Sequence, residues 1–227
     1  MANFIVASTG EWNLKYFDQF SKKQKGMWDF ASTPAELNKL LEGLNPRYIF
    51  FPHWSWIVAE EIIKSHECVC FHMTDLPYGR GGSPLQNLII QGCEKTMLSA
   101  LRMEKGVDTG PIYYKKPLNL HGSAYDIYKR AGKLCWDMIS DFIKDNPNPV
   151  AQEGTITNFK RRTPEQSQIP EGLSLEDIYN YIRMLDAPGY PKAFLEMNDY
   201  RLEFESSDYV DGRLSAKVSF IKREDNV

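Results

Sequence analysis

Short apolar runs alternate with stretches of helical spacing through the first half of the chain. Asn3–Ala7, Tyr48-Ile49-Phe50-Phe51 and Cys68-Val69-Cys70-Phe71 read as strands with almost no polar interruption. Between the first two, Thr33-Pro34-Ala35-Glu36 is a capping box with Pro at the first helical position, and Gly43 closes that helix. A second helix is expected near Val58–Ser65. Unbroken apolar strands separated by helices predict a parallel sheet buried on both faces. Farther along, Pro84–Gln91 reads as a helix with Ser83 as N-cap and Gly92 behind it. Thr96–Met103 and Ile112–Leu118 read as strands flanking a GVDTGP turn. Ile127, Leu134, Met138, Ile139 and Phe142 fall near helical spacing and predict one long helix over Ser123–Asp145, which the run Asn146–Pro149 ends. Beyond it come a helix at Ser174–Leu185 and short strands at Ala193–Met197, Tyr200–Glu205 and Leu214–Ile221, with turns at Asn198-Asp199 and Asp211-Gly212. The expected fold class is α/β: a mostly parallel, Rossmann-like sheet with helices on both faces over residues 1–150, then a small α+β tail over 151–227.

Composition narrows the picture only a little. The 227 residues are 42% apolar and 13% aromatic, which is ample for a packed core. A net charge of −3 argues against a general attraction to nucleic acid or to anionic membrane, so neither partner is expected. Lys160-Arg161-Arg162 is a local basic patch. The start, MANFIVASTG, lacks the basic region and long apolar run of a signal peptide, and no stretch approaches the ~18 apolar residues of a membrane span. The four cysteines, Cys68, Cys70, Cys93 and Cys135, do not fall at zinc spacing. Free thiols, no metal and a cytoplasmic location are therefore expected.

The candidate chemistry is concentrated in FHMTDLPYGRGGSPLQ, Phe71–Gln86, and in the later GVDTG, Gly106–Gly110. His72 follows a strand, and ligands of open α/β sheets bind outside the carboxyl ends of strands. Its side chain can shuttle a proton near neutrality. Asp108 reads either as a turn-forming Asp or as an acidic partner that orients His72. Arg80, Gly81 and Gly82 form either a flexible loop or one whose glycines let backbone approach a ligand. Gln86 on the next helix can reach such a site. His53, Trp54, Ser55 and Trp56 follow a strand and can pack as core or wall a pocket for a flat ring.

These segments resemble the His…Leu-Pro…Arg-Gly…Pro-x-Gln and Asp-Thr-Gly patterns of the folate-dependent formyltransferases, through His72, Leu76, Pro77, Arg80, Gly81, Pro84, Gln86, Glu104, Gly106, Asp108, Thr109 and Gly110. The resemblance implies a methionyl-tRNA formyltransferase-like catalytic domain that moves a formyl group from N10-formyltetrahydrofolate to an amine. It implies His72 as general acid/base with Asp108 as its partner. It places His53, Trp54, Ser55, Trp56, Gly106 and Asp108 toward the folate, and Thr74, Asp75, Arg80, Gly81, Gly82, Gln86, Arg161 and Arg183 toward the acceptor. Lys160–Glu165 and Ile178–Arg183 with Tyr190–Phe194 resemble segments of nucleotide-sugar N-formyltransferases. The expected acceptor is accordingly a nucleotide-linked amino sugar of the pseudaminic-acid pathway type, the expected products include tetrahydrofolate, and the expected assembly is a homodimer. About 34 residues follow Ala193, too few for the large C-terminal barrel of tRNA-acting members. Methionyl-tRNA and glycinamide ribonucleotide are the alternative acceptors, and a non-catalytic folate or nucleotide-sugar binding protein is the alternative class. One position departs from the family: Cys70 stands where an oxyanion-stabilising Asn is usual, and a thiol is a weak donor.

Overall fold

The computed structural model describes residues 2–223. Along the chain run β1 (Asn3–Ser8), α1 (Glu11–Ser21), β2 (Met27–Ala31), α2 (Pro34–Gly43), β3 (Tyr48–His53), α3 (Glu60–Ser65), β4 (Cys68–His72) and the two-residue β5 (Arg80–Gly81). Then follow α4 (Pro84–Ile90), β6 (Lys95–Arg102), β7 (Ile112–Asn119), α5 (Ala124–Asp145), the two-residue β8 (Asn158–Phe159), α6 (Leu175–Arg183), β9 (Ala193–Met197), β10 (Tyr200–Val210) and β11 (Arg213–Lys222). They divide between two compact units, one of residues 2–81, 96–118 and 129–158 and one of residues 82–95, 119–128 and 159–223.

The first unit is built on a six-stranded sheet of order β2-β1-β3-β4-β6-β7. β2, β1, β3 and β4 are parallel, and β6 runs antiparallel to β4. Period-two alternation gives each strand two apolar faces. Ile5, Ala7, Ile49 and Phe51 pack with Leu37 of α2, and Ile62 and Ile63 of α3 lie against them. The rings of Tyr48 and Phe50 meet Phe142 of α5 edge-on at 4.8 and 5.4 Å, while Phe20 of α1 meets Trp136 of α5. Helices thus cover both faces, as the apolar strands imply. Full burial of a side chain such as Ile5 or Phe50 stabilises by about 1.5–3 kcal/mol, so this sheet is the firm part of the unit.

Besides the two-residue β5 and β8, α1 and β2 escape the sequence reading. α1 carries Trp12, Tyr16, Phe17 and Phe20 at helical spacing, which the dense charges around them disguise. β2 is an edge strand that buries only Ala31 fully, so it lacks the unbroken apolar signature of its neighbours. The Ser83 cap also differs from expectation. Ser83 is in the left-handed region at φ 51°, and its side chain caps nothing. Its hydroxyl accepts from Arg162 N at 3.0 Å instead, because a left-handed residue cannot aim its oxygen back at the helix amides.

The second unit holds α4, α6 and an antiparallel sheet of order β11-β10-β9. Ser174 caps α6 by accepting from Asp177 N at 3.1 Å. Asp211 and Gly212, both at positive φ, make the hairpin turn between β10 and β11 that the sequence announces. No helix among the described residues is long and apolar enough to cross a membrane.

Candidate active site

β4 delivers His72 at its carboxyl end, and alternation puts Cys70 on the same strand face. Beyond β4 the chain turns through Asp75 and the cis Leu76–Pro77 bond to Gly79, whose φ of 71° suits glycine. That turn returns a carbonyl to the histidine: Gly79 O lies 2.8 Å from His72 Nε2. A carbonyl can only accept, so Nε2 carries the hydrogen. The other ring nitrogen, Nδ1, then faces Asp108 Oδ2 at 3.5 Å. Both side chains are nearly buried. A lone pair on Nδ1 opposite a carboxylate is repulsive, and a proton between them relieves it. The carboxylate thus faces the one ring nitrogen that carries no hydrogen.

Asp108 is fixed from several directions. Its backbone is left-handed, φ 54°, which Asp tolerates better than most residues. Gly81 N donates to its Oδ2 at 2.9 Å. The glycines around it are needed sterically. A Cβ on Gly110 would stand 1.8 Å from the Arg102 carbonyl oxygen, and one on Gly106 would crowd the Thr109 side chain. The glycine pattern thus lets the loop pass against β6.

Thr74 is fully buried, with its hydroxyl 3.3 Å from Gly79 O and its carbonyl accepting from Ser99 Oγ at 2.7 Å. Asp75 is exposed and ion-paired with Lys115. Arg80 donates through Nε and Nη2 to Gln152 Oε1 at 3.1 and 2.7 Å. Gln152 in turn donates to Asp108 O and Gly110 O at 2.8 and 2.7 Å. Sequence reasoning misses Gln152, because the segment after Asn146–Pro149 carries no periodicity. Ser55 and Trp56 are exposed, while Trp54 packs on the core and meets Trp56 edge-on at 4.8 Å. His53 stacks obliquely on Trp12 at 5.6 Å, and burial pushes its imidazole down to about 4. Burial, and then the nearby Asp108 charge, pushes the Cys70 thiol far up, so it stays protonated. All four cysteines are free.

The other predicted site residues belong to the second unit. Gln86 is buried and donates to Tyr128 Oη and Met184 O at 3.0 and 3.1 Å. Arg183 is buried and donates to Leu120 O at 2.6 Å, Asn180 Oδ1 at 2.8 Å and Gly122 O at 3.1 Å. Arg161 is exposed, and its stem lies so close to Gly82 that a Cβ there would stand 2.5 Å from it.

With this geometry in hand, likeness to known proteins becomes interpretable. The family model for the methionyl-tRNA formyltransferase C-terminal domain matches residues 164–221. A curated methionyl-tRNA formyltransferase of Clostridium botulinum is 27% identical over 82% of this chain, and the chain spans 62% of that relative's length. A solved structure, methionyl-tRNA formyltransferase from Clostridium thermocellum, is 46% identical over 98% of this chain and 100% of its own, with a TM-score of 0.94. A sugar N-formyltransferase from Shewanella shares the fold at a TM-score of 0.69 but only 14% identity, covering 92% of this chain and 99% of its own.

These findings overturn two expectations. The nucleotide-sugar acceptor does not stand, because the similarity above fold level is to proteins named for methionyl-tRNA. The exclusion of nucleic acid falls with it. Net charge misled, since it averages over the whole surface while Lys160 and Arg161 are locally exposed and basic. A C-terminal model of the methionyl-tRNA formyltransferases also matches within the tail, at residues 164–221. By its 46% identity to a relative aligned along that relative's entire length, the chain belongs to the methionyl-tRNA formyltransferase family, whose members are formyl-transferring enzymes.

Proposed function

We propose that this protein transfers a formyl group from N10-formyltetrahydrofolate to the amine of methionyl-tRNA. The observation that carries the reading is the approach of Asp108, on its Gly-rich loop, to within 3.5 Å of His72 at the end of β4, in a chain 46% identical to a methionyl-tRNA formyltransferase. The residues present suit a folate. Partly exposed Trp54 and Trp56 offer flat apolar surface, and the exposed Gly106-Val107 backbone offers hydrogen-bonding groups for a polar ring. Bound there, the folate supplies a formyl carbon on a nitrogen that can leave.

The protein's part is positional and protonic. His72 Nε2 stays bonded to Gly79 O, which fixes the ring. As the acceptor amine bonds to the formyl carbon, its nitrogen becomes acidic. The His72 Nδ1–Asp108 corner takes the released proton and returns it to the departing nitrogen. Asp108 holds charge opposite Nδ1, stabilising the imidazolium while it exists. Cys70 contributes at most a weak S–H donor.

The test uses purified protein with N10-formyltetrahydrofolate and three acceptors: methionyl-tRNA, glycinamide ribonucleotide and a nucleotide-linked amino sugar. Formylmethionyl-tRNA should form at a kcat/KM at least tenfold above the other products. Absence of formylated tRNA alongside turnover of another acceptor would refute the reading.

A further inference from the structure

The geometry points to Gln152 as a positioning residue that locks the Asp108 loop to the Arg80-Gly81 segment. This inference rests on the formyl-transfer reading for its kinetic consequence, not for its structural one. A side-chain amide has two donor hydrogens and an oxygen with two lone pairs. Gln152 uses both ends: Oε1 accepts twice from Arg80, while Nε2 donates to Asp108 O and Gly110 O. Its own backbone is anchored two residues earlier, where Val150 and Ile112 exchange hydrogen bonds at 2.7 and 2.8 Å. The Arg80 segment is held from a second side by Arg80 N to Thr157 O at 3.0 Å. Gly81 N then closes the ring by donating to Asp108 Oδ2. Asp108 sits in a left-handed conformation that few non-glycine residues hold without support. Gln152 grips that residue's carbonyl and leaves its carboxylate to face Nδ1. An amide is required for the whole set, because no carboxylate or hydroxyl both accepts a guanidinium fork and donates to two carbonyls.

Gln152→Glu tests this with minimal change of shape. It keeps the Arg80 acceptor, and it sets a carboxylate against the carbonyls of Asp108 and Gly110. The expected result is a kcat for formyl transfer roughly ten- to a hundredfold lower, since misplacement of a catalytic group by about 1 Å costs on that order. KM for both substrates should stay within about threefold, and Tm within a few degrees. Amide hydrogen exchange should quicken over residues 105–110 while the β1 and β3 amides stay protected. Gln152→Leu, which also drops Arg80, should quicken exchange over 79–82 as well. If the wild-type protein transfers no formyl group, the function reading fails and the exchange arm alone decides. Faster exchange confined to these loops then supports the lock. Unchanged exchange, a near-normal kcat in an active enzyme, or loosening spread over the whole sheet would overturn it.

Discussion

The Arg183 corner of the second unit and the His72 corner of the first are both buried and both polar, and they are built on opposite principles. Arg183 spends its donors on Leu120 O, Gly122 O and Asn180 Oδ1, with its guanidinium 5.4 Å from the Tyr179 ring centroid. Gln86 is likewise satisfied by Tyr128 and Met184. Nothing there invites a proton to move. In the other corner, His72 has one nitrogen bonded and the second set 3.5 Å from a carboxylate, on a loop whose central residue is left-handed. Burial alone does not mark a reactive group. Which atoms are left facing one another decides what such a corner can do.

That contrast makes rate and stability separable. The largest effect belongs to His72→Asn, which should lower kcat for formyl transfer by about 10²–10⁴-fold with Tm nearly unchanged. Turnover within a few-fold of wild type would remove His72 from the chemistry. Next in size is Gly110→Ala. Its methyl would meet the Arg102 carbonyl at 1.8 Å, so the backbone must shift, and both Tm and kcat should fall. Normal melting with full activity would show that the loop does not need this glycine. Arg183→Leu should do the reverse of His72→Asn. It takes a donor from the buried Leu120 carbonyl and the part-buried Gly122 carbonyl, at a cost of about 1–3 kcal/mol, read as a lower urea midpoint. Its kcat well below the melting range should fall far less than that of His72→Asn, and a collapse in kcat without loss of stability would erase the distinction between the corners.

A fourth, smaller effect concerns pH. His53 is held near pKa 4 by burial against an unfolded value of about 6.5. A lowered folded pKa means the unfolded chain takes up the proton first as pH falls. Stability should therefore decline between about pH 6.5 and 4, by roughly 3 kcal/mol from this group, and lose no more from it below. Urea midpoints of His53→Gln should lack that part of the acid slope, and an identical slope would show that His53 titrates normally.

Much of the fold was readable because burial on two faces leaves a signature. β1, β3 and β4 are apolar without interruption, and the Thr33 cap and the Asp211-Gly212 turn are set by local backbone chemistry. β2 was not readable, since an edge strand needs no continuous apolar run. The antiparallel direction of β6 is equally absent from its own pattern, which specifies faces and not direction. In the site, His72 stood out by following an apolar strand and Asp108 by its glycine-flanked loop, and the family pattern joined the two. Gln152 did not. It acts through hydrogen bonds from an irregular segment far along the chain, and no period or spacing marks such a residue. The acceptor was misread because Lys160–Glu165 and Ile178–Arg183 resemble segments of nucleotide-sugar enzymes, and because net charge is a global quantity whereas recognition is local.

Which nitrogen of His72 carries the hydrogen is the central claim, and ¹⁵N spectra of selectively labelled histidine observe it directly. Resting His72 should show its hydrogen on Nε2, where Gly79 O accepts it, and Asp108→Asn should change the Nδ1 signal but not the Nε2 signal. A resting His72 with its hydrogen on Nδ1, or an Nδ1 signal indifferent to Asp108→Asn, would contradict this arrangement.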